Sequence, residues 1–404
     1  MYRSSFRGGV GRLLRPLSLP RNDSFVWRER SVPMVSATQL ITTRHGIVGS
    51  LSIFVALGCR GPEAKPASDE ASPNLEIVQL DSGIFAAIRK EPLSLAVNSN
   101  SLIIVRDADV VVVDAQFTRA ATRETIAAIR RLTDKPVSYV INTHWHDDHV
   151  AGNQVYQDSF PSVRFVMQEN TASDLATLGV NNRKDQLAGA PPAADRLERL
   201  LAMNLGIDST KATPMEREAI ESAIRIVRQY VSEARAFRPI TATDTVGLRM
   251  TLGDGAERID LLWFGLGNTG GDLVVHLPSP GIVATGDLVV APIPFAFNSH
   301  PASWVRVLDS LTALKPRIVV PGHGPLMQDL QHVRSVRDWL DRINREVSVA
   351  VARHDSLGAV LKTVTLDDVR RSATGNGKWM NFLWRQFFVG PAVQAAFDEK
   401  ASGR

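Results

Sequence analysis

The run His144-Trp145-His146-Asp147-Asp148-His149 holds three of the chain's nine histidines within six residues. Imidazole and carboxylate together suit zinc, iron or manganese. His144 and His146, two positions apart on a turn, can direct both rings at one ion. Asp148 and His149, on the returning chain, can reach a second. Two more candidates end apolar runs in the same way. Ile282-Val283-Ala284-Thr285-Gly286-Asp287 sets a carboxylate at a strand end, with Gly286 permitting close backbone approach. Ile318-Val319-Val320-Pro321-Gly322-His323-Gly324 sets an imidazole between two glycines at another. Each is a weak signal by itself. Sites in open α/β sheets gather outside the carboxyl ends of strands, so the shared placement argues for one composite site.

The elements that must position these residues are legible from about Leu75 onward. Leu75 to Leu80 and Ile84 to Ile88 flank Asp81-Ser82-Gly83, a hairpin signal. Leu102 to Val105 and Val110 to Val113 form a second hairpin around residues 106–109. Arg119 to Leu132 carries Ile126, Ile129 and Leu132 at helical spacing, with Pro136 just beyond. Val137 to Ile141 is the apolar run that leads into the histidine cluster. Arg164 to Met167, Ile259 to Phe264, Leu273 to Leu277, Gly281 to Thr285 and Arg317 to Val320 supply further strands.

Early hairpins followed by alternating helices and strands predict an α/β layered domain over 75–328. Between 168 and 240 the pattern turns helical and charged, with Ile220, Ile224, Val227 and Val231 at helical steps. The Pro191-Pro192 pair is expected to break this insertion in two. Val333, Val336, Leu340, Ile343, Val347 and Val351 trace another helix in a C-terminal extension, 329–404. Its aromatic residues, Trp379 to Phe397, are expected to pack on the body.

The net charge is +4, and its location decides its meaning. Residues 1–58 contain eight arginines, no lysine and two acids, a net of +6. The remainder is −2, which excludes an electrostatic footprint for nucleic acid. Arg44 and His45 precede an apolar stretch, 46–58, of the length of a secretory h-region. Cys59, the single cysteine, follows immediately. One cysteine excludes a disulfide framework. The stretch resembles a bacterial lipoprotein signal, which implies export, lipidation at Cys59 and a membrane anchor. Residues 59–74 then read as a polar tether.

The H-x-H-x-D-H element, the later Gly-Asp and the closing Pro-Gly-His-Gly occur in the order of the metallo-β-lactamase superfamily, which the chain resembles. The resemblance implies a four-layer αββα sandwich with a dinuclear site, two zinc ions being expected and iron or manganese remaining open. Carried over, His144 and His146 hold the first metal. Asp148, His149 and His323 hold the second, and Asp287 bridges both. Where the family has a third histidine for the first metal, Gly267-Asn268-Thr269 places Asn268, a weaker and harder donor. The first site is therefore expected to be weaker or less selective for zinc. His300, in the loop after Asp287, is a candidate for the site lining.

The implied reaction is hydrolysis of a small molecule by a metal-bridging hydroxide, with Asp148 orienting the nucleophile. Asp147, where di-iron relatives carry glutamate, disfavours oxygen reduction. Asp287, where true β-lactamases carry cysteine or serine, disfavours an antibiotic-resistance enzyme. An ester, lactone or amide fits better. Phe295 and Phe297 line an apolar groove or belong to the core. The competing reading is a degenerate, non-catalytic metal-binding or interaction module, and β-lactamase or phosphodiesterase variants are further alternatives.

Overall fold

A computed structural model describes residues 74–90, 98–234, 237–375 and 377–402. The leader, Cys59 and the tether as far as residue 73 lie outside the described residues.

The described residues build two sheets. The first is ordered β1 (Leu75–Asp81), β2 (Ile84–Arg89), β3 (Ser101–Val105), β4 (Val110–Val113), β5 (Val137–Ile141), β6 (Arg164–Gln168) and β7 (Asp244–Val246). Pairing is antiparallel from β1 to β4 and parallel from β4 to β7. The change coincides with the first long helix, α1 (Arg119–Leu132), which carries the chain from β4 over to β5. Such a crossover is what a parallel neighbour requires. The Thr118 hydroxyl caps α1 by accepting from the Ala121 N–H at 3.2 Å.

The second sheet is ordered β12 (Ile318–Val320), β11 (Ile282–Ala284), β10 (Leu273–Leu277), β9 (Ile259–Trp263) and β8 (Arg249–Leu252). Only β11 and β12 run parallel within it. Between the sheets lies a core of Leu102, Ile104, Val111, Val113, Leu261, Leu273, Val275 and Ile282 among others. Strands covered on both faces read as continuous apolar runs, which is why Val110–Val113 shows no alternation.

The outer faces are covered by helices. On the first sheet lie α1 and, beyond the short α2 (Asp147–Val150), α3 (Asn153–Ser159). The insertion consists of α4 (Glu169–Asp174), α5 (Val180–Ala202) and α6 (Pro214–Ala234). On the second sheet lie α7 (Pro301–Ala313) and α8 (Gln331–Ala352), followed by α9 (Leu357–Thr363), α10 (Asp367–Thr374), α11 (Lys378–Leu383) and α12 (Gly390–Ala401). The chain is thus an αββα sandwich with a helical extension. The predicted α8 stripe is the buried one, Val333, Val336, Leu340, Ile343 and Val347. Each such side chain contributes about 1.5–3 kcal/mol by leaving water. Among the described residues no helix is long and apolar enough to cross a membrane.

Two expectations are corrected. Pro191 and Pro192 sit inside α5 and do not end it. They delete two N–H donors on a half-exposed flank, where the released carbonyls can meet water. The helical pair is broken instead at residues 203–213. The buried stripe of α6 is also rotated by about one residue from the expected one, to Ala219, Ile220, Ala223, Ile226 and Tyr230. β7 and β8 gave no sequence signal, because they are short and only Val246 in them is buried.

Candidate metal centre

The six His/Asp donors follow the carboxyl ends of three strands, β5, β11 and β12. The β5 strand ends at Ile141 and the chain turns through His144 and His146 into α2, which carries Asp148 and His149. Asp287 follows β11 within the tight turn 286–288, and His323 follows β12. Asn268 lies in the loop between β9 and β10. Backbone hydrogen bonds lock these ends together. Leu273 N donates to Thr143 O at 2.8 Å, and Gly322 N donates to Gly286 O at 2.9 Å.

The result is two groups of donors hinged on one carboxylate. In one group, His144, His146 and Asp287 bring their donor atoms within 4.8 Å of one another. In the other, Asp148, His149, Asp287 and His323 do the same. His144 Nε2 and His146 Nδ1 converge to 3.0 Å. Asp287 turns its two oxygens to opposite sides. Oδ1 lies 3.3 Å from His149 Nε2 and 3.4 Å from His323 Nε2, while Oδ2 lies 3.9 Å from His144 Nε2. Asp148 Oδ2 approaches His323 Nε2 at 2.9 Å and His149 Nε2 at 3.4 Å.

Buried polar atoms without a hydrogen-bond partner collect in the same place. They include His149 Nε2, Asp287 Oδ1 and both amide atoms of the fully buried Asn268. Orphaned buried donors and acceptors are costly unless something else serves them. The donor set fits divalent cations of the zinc, iron or manganese type. His144, His146 and Asp287 would hold one, and Asp148, His149, His323 and Asp287 the other. Asn268, fully buried, brings an uncharged amide to the same neighbourhood. His300 is not among the donors. It precedes α7, one third exposed, with Nδ1 3.5 Å from Glu399 Oε1.

Protonation is divided across the centre. Burial, together with the nearby His149 and His146, holds the His144 imidazole well below its ordinary value. Burial lowers His146 as well. Burial works in the same direction on His149, but Asp114, Asp148 and Asp287 outweigh it and raise that imidazole well above its ordinary value. Burial opposes ionisation of Asp148, yet His149 and His323 hold its carboxyl well below the usual range. Asp272, in the loop that carries Asn268, is pushed up to about 7, chiefly by burial. It accepts the Thr269 N–H at 2.7 Å and so braces that loop.

Several positioning residues carried no flag in the sequence reading. Asp114 follows the four valines of β4, the same strand-end pattern as Asp287. It adopts a left-handed φ of 63°, an uncommon conformation for aspartate. Its Oδ2 lies 2.8 Å from His149 Nδ1, and its Oδ1 accepts the Thr143 N–H at 2.8 Å. That contact fixes which imidazole nitrogen faces the centre, the usual task of an outer carboxylate. Asp114→Asn is expected to weaken metal binding about 10–100-fold, read by chelator competition. His323 is held through Nδ1, 3.1 Å from the Asn98 carbonyl. Asn100 crosses between sheets, donating from Nδ2 to Pro321 O at 3.0 Å and Gly324 O at 2.9 Å. His332 reaches Val290 O at 2.9 Å and steadies the loop after Asp287.

Asp147 is buried between two residues of the insertion. Arg183 grips both of its carboxylate oxygens, and the Tyr230 hydroxyl donates to Oδ2 at 2.7 Å. The Arg183 guanidinium also lies 3.5 Å above the Phe237 ring, and Phe117 stacks on Tyr230 at 4.1 Å. The insertion is therefore fastened to the residue between His146 and Asp148. Sequence spacing gives no sign of this, since Arg183 and Tyr230 are far away in the chain.

Glycine at 322 has a specific reason. A side-chain carbon there would collide with Asp287 Oδ1. Gly322→Ala is expected to destabilise the fold by roughly 1–3 kcal/mol through overpacking and to lower bound metal. Denaturant unfolding and metal analysis on the same sample check both.

A linear primary-alkylsulfatase of Pseudomonas sp. (strain ATCC 19151) is 22% identical over 246 residues, covering 56% of this chain and 41% of the sulfatase. The chain thus matches less than half the length of that relative. Among solved structures, a metallo-β-lactamase from Pontibacter korlensis is 20% identical, with TM-score 0.44, covering 66% of this chain and 99% of that one. The FIM-1 enzyme of Pseudomonas aeruginosa, in its mono-zinc form, is 14% identical, with TM-score 0.46, covering 68% and 98%. The family model for the metallo-beta-lactamase superfamily matches residues 95–323, more than half of the chain, and spans all six His/Asp donors. With those donors gathered at the strand ends of an αββα sandwich, the chain belongs to the metallo-β-lactamase superfamily.

Proposed function

We propose that this protein is an exported, lipid-anchored hydrolase that cleaves an ester, lactone or amide with two zinc ions. The observation that carries the reading is the pair of donor groups hinged on Asp287, whose two oxygens face different histidines. Metal ions held there supply a Lewis acid for the carbonyl oxygen and a water acidified toward neutral pH. The chain's own residues do the rest. His144 and His146, kept neutral by burial, present lone pairs. Asp148 is the carboxylate of the centre that retains some exposure, 21% of its side chain. Held ionised, it is placed to accept a hydrogen bond from an incoming water and orient it toward the substrate.

The anchor rests on the apolar stretch 46–58 followed directly by Cys59. Cys59→Ser is expected to abolish fatty-acid labelling and release the protein from the membrane fraction. The partners in this reading are a small-molecule substrate and the membrane, and no nucleic acid.

Cleavage of sulfate esters is a second reading, favoured by the match to the linear primary-alkylsulfatase. One panel separates the possibilities: esters, lactones, amides, β-lactams, phosphodiesters and alkyl sulfates, each with and without chelator. Carboxylic esters or lactones are expected to turn over and to fall silent with chelator or in His146→Ala. Turnover of alkyl sulfates alone would overturn the ester reading. Metal-loaded protein inert on every class would overturn hydrolysis and favour a non-catalytic module.

A further inference from the structure

The loop from Val289 to His300 is pinned beside a candidate metal ligand. Ala291 N donates to His323 O at 3.2 Å, which places the Phe295 ring 5.6 Å from the His323 ring. Phe295 and Phe297 are half-buried and stand outside the three buried cores of the molecule. A third ring arrives from the C-terminal extension. Between α11 and α12 the helix widens into one π-turn, Trp384–Val389, a distortion that is frequent at functional sites. Trp384 and Phe388 on this turn are fully buried, and both stack near Trp339 of α8. Phe387, half-buried, packs against the same core and also reaches the loop. Its ring lies 5.4 Å from Phe295 and 5.2 Å from Phe297. The Phe387 carbonyl accepts the Ala296 N–H at 2.8 Å, so the two segments are joined through their backbones.

We propose that Phe295, Phe297 and Phe387 form an aromatic wall that receives a linear hydrocarbon chain on the substrate, making the C-terminal extension part of the specificity site. The inference rests on the hydrolase reading for the identity of the bond that is cut. It rests on geometry alone for the chain that is bound. The occupant follows from continuity. The wall begins at His323, so whatever lies along it is attached to what reaches the ligand cluster. The half-buried rings carry no charge and offer no hydrogen-bond donor, which selects methylene groups over polar substituents. Each methylene removed from water is worth about 0.8 kcal/mol, or about fourfold in affinity or kcat/KM.

The test compares full-length protein with Phe387→Ala and Phe387→Trp on 4-nitrophenyl esters from acetate to octanoate. In the wild type, kcat/KM is expected to climb with chain length by up to about fourfold per methylene. In Phe387→Ala the octanoate-to-acetate ratio should fall at least tenfold, and Phe387→Trp should restore most of it. A ratio unchanged in Phe387→Ala, with both esters losing equally, would mean a structural role and overturn the wall. A flat chain-length profile in the wild type would overturn it too, leaving hydrolysis intact.

A second readout is independent of turnover. Calorimetric binding of butyrate, hexanoate and octanoate should tighten with length in the wild type and lose that trend in Phe387→Ala. Should no ester be cleaved while this trend persists, the ester reading fails and the wall stands. Should neither the trend nor any ester turnover appear, both fail.

Discussion

Asp287→Ala is expected to strip metal from both donor groups at once and to lower turnover by about a thousandfold or more. At 1.36 kcal/mol per decade, that corresponds to about 4 kcal/mol of lost transition-state stabilisation. The reason is topological. Asp287 is the one residue that both groups contain. His144 and His146 serve one group, and Asp148, His149 and His323 serve the other. Removing a histidine should therefore lose only part of the metal, even where turnover stops. His146→Ala should retain the metal held by Asp148, His149 and His323, whereas Asp287→Ala should retain neither. Metal analysis by mass spectrometry on the two variants, beside the wild type, checks the contrast. Equal metal content in Asp287→Ala and wild type would show that the carboxylate does not bridge.

Arg183→Met is expected to destabilise the fold by about 3–5 kcal/mol, because it leaves the buried Asp147 carboxylate without its cation. Burial already raises Asp147 against the opposing pull of Arg183. Without the guanidinium, that opposition disappears and the charged form loses its main partner. Tyr230→Phe, which removes one donor, should cost about 1–3 kcal/mol. The diagnostic comparison is the double variant. Replacing both Asp147 and Arg183 with leucine and methionine removes the charge together with its partner. It should recover much of the stability lost in the single variant. Denaturant unfolding of the wild type, Arg183→Met, Asp147→Leu and the double variant measures the coupling. Additive losses would show that Arg183 acts through its own packing on Phe237 and not through Asp147.

The centre itself was legible to an unusual degree, and the physics explains why. Histidine and carboxylate are common metal donors, and here the candidates follow strand ends, so residue type and the apolar run before it identify them together. His144, His146, Asp148, His149, Asp287 and His323 are all of this kind. Asp114 obeys the same rule after Val110–Val113, yet a lone aspartate after a hairpin strand has many ordinary explanations. Arg183 and Tyr230 were illegible for a different reason. Their partner lies 36 and 83 residues away, and nothing in local composition encodes a contact at that range. Helix α1 and the α8 stripe were readable from period alone. The rotated face of α6 was not, because Ala219, Ala223 and Ile226 meet the body where larger residues one step away do not. The prolines of α5 misled because proline reports a missing N–H, and a half-exposed helix tolerates that loss.

The ligands come from two different sheets. His144, His146, Asp148 and His149 issue from the first, and Asp287 and His323 from the second. A bound cation would therefore act as a rivet at the strand-end edge of the sandwich, drawing together halves that otherwise meet through apolar contact and a few bridging bonds such as those of Asn100. Mass action then ties folding to metal supply: a hundredfold excess of free ion over its dissociation constant adds about 2.7 kcal/mol. The melting temperature of this protein would then serve as a gauge of its loading.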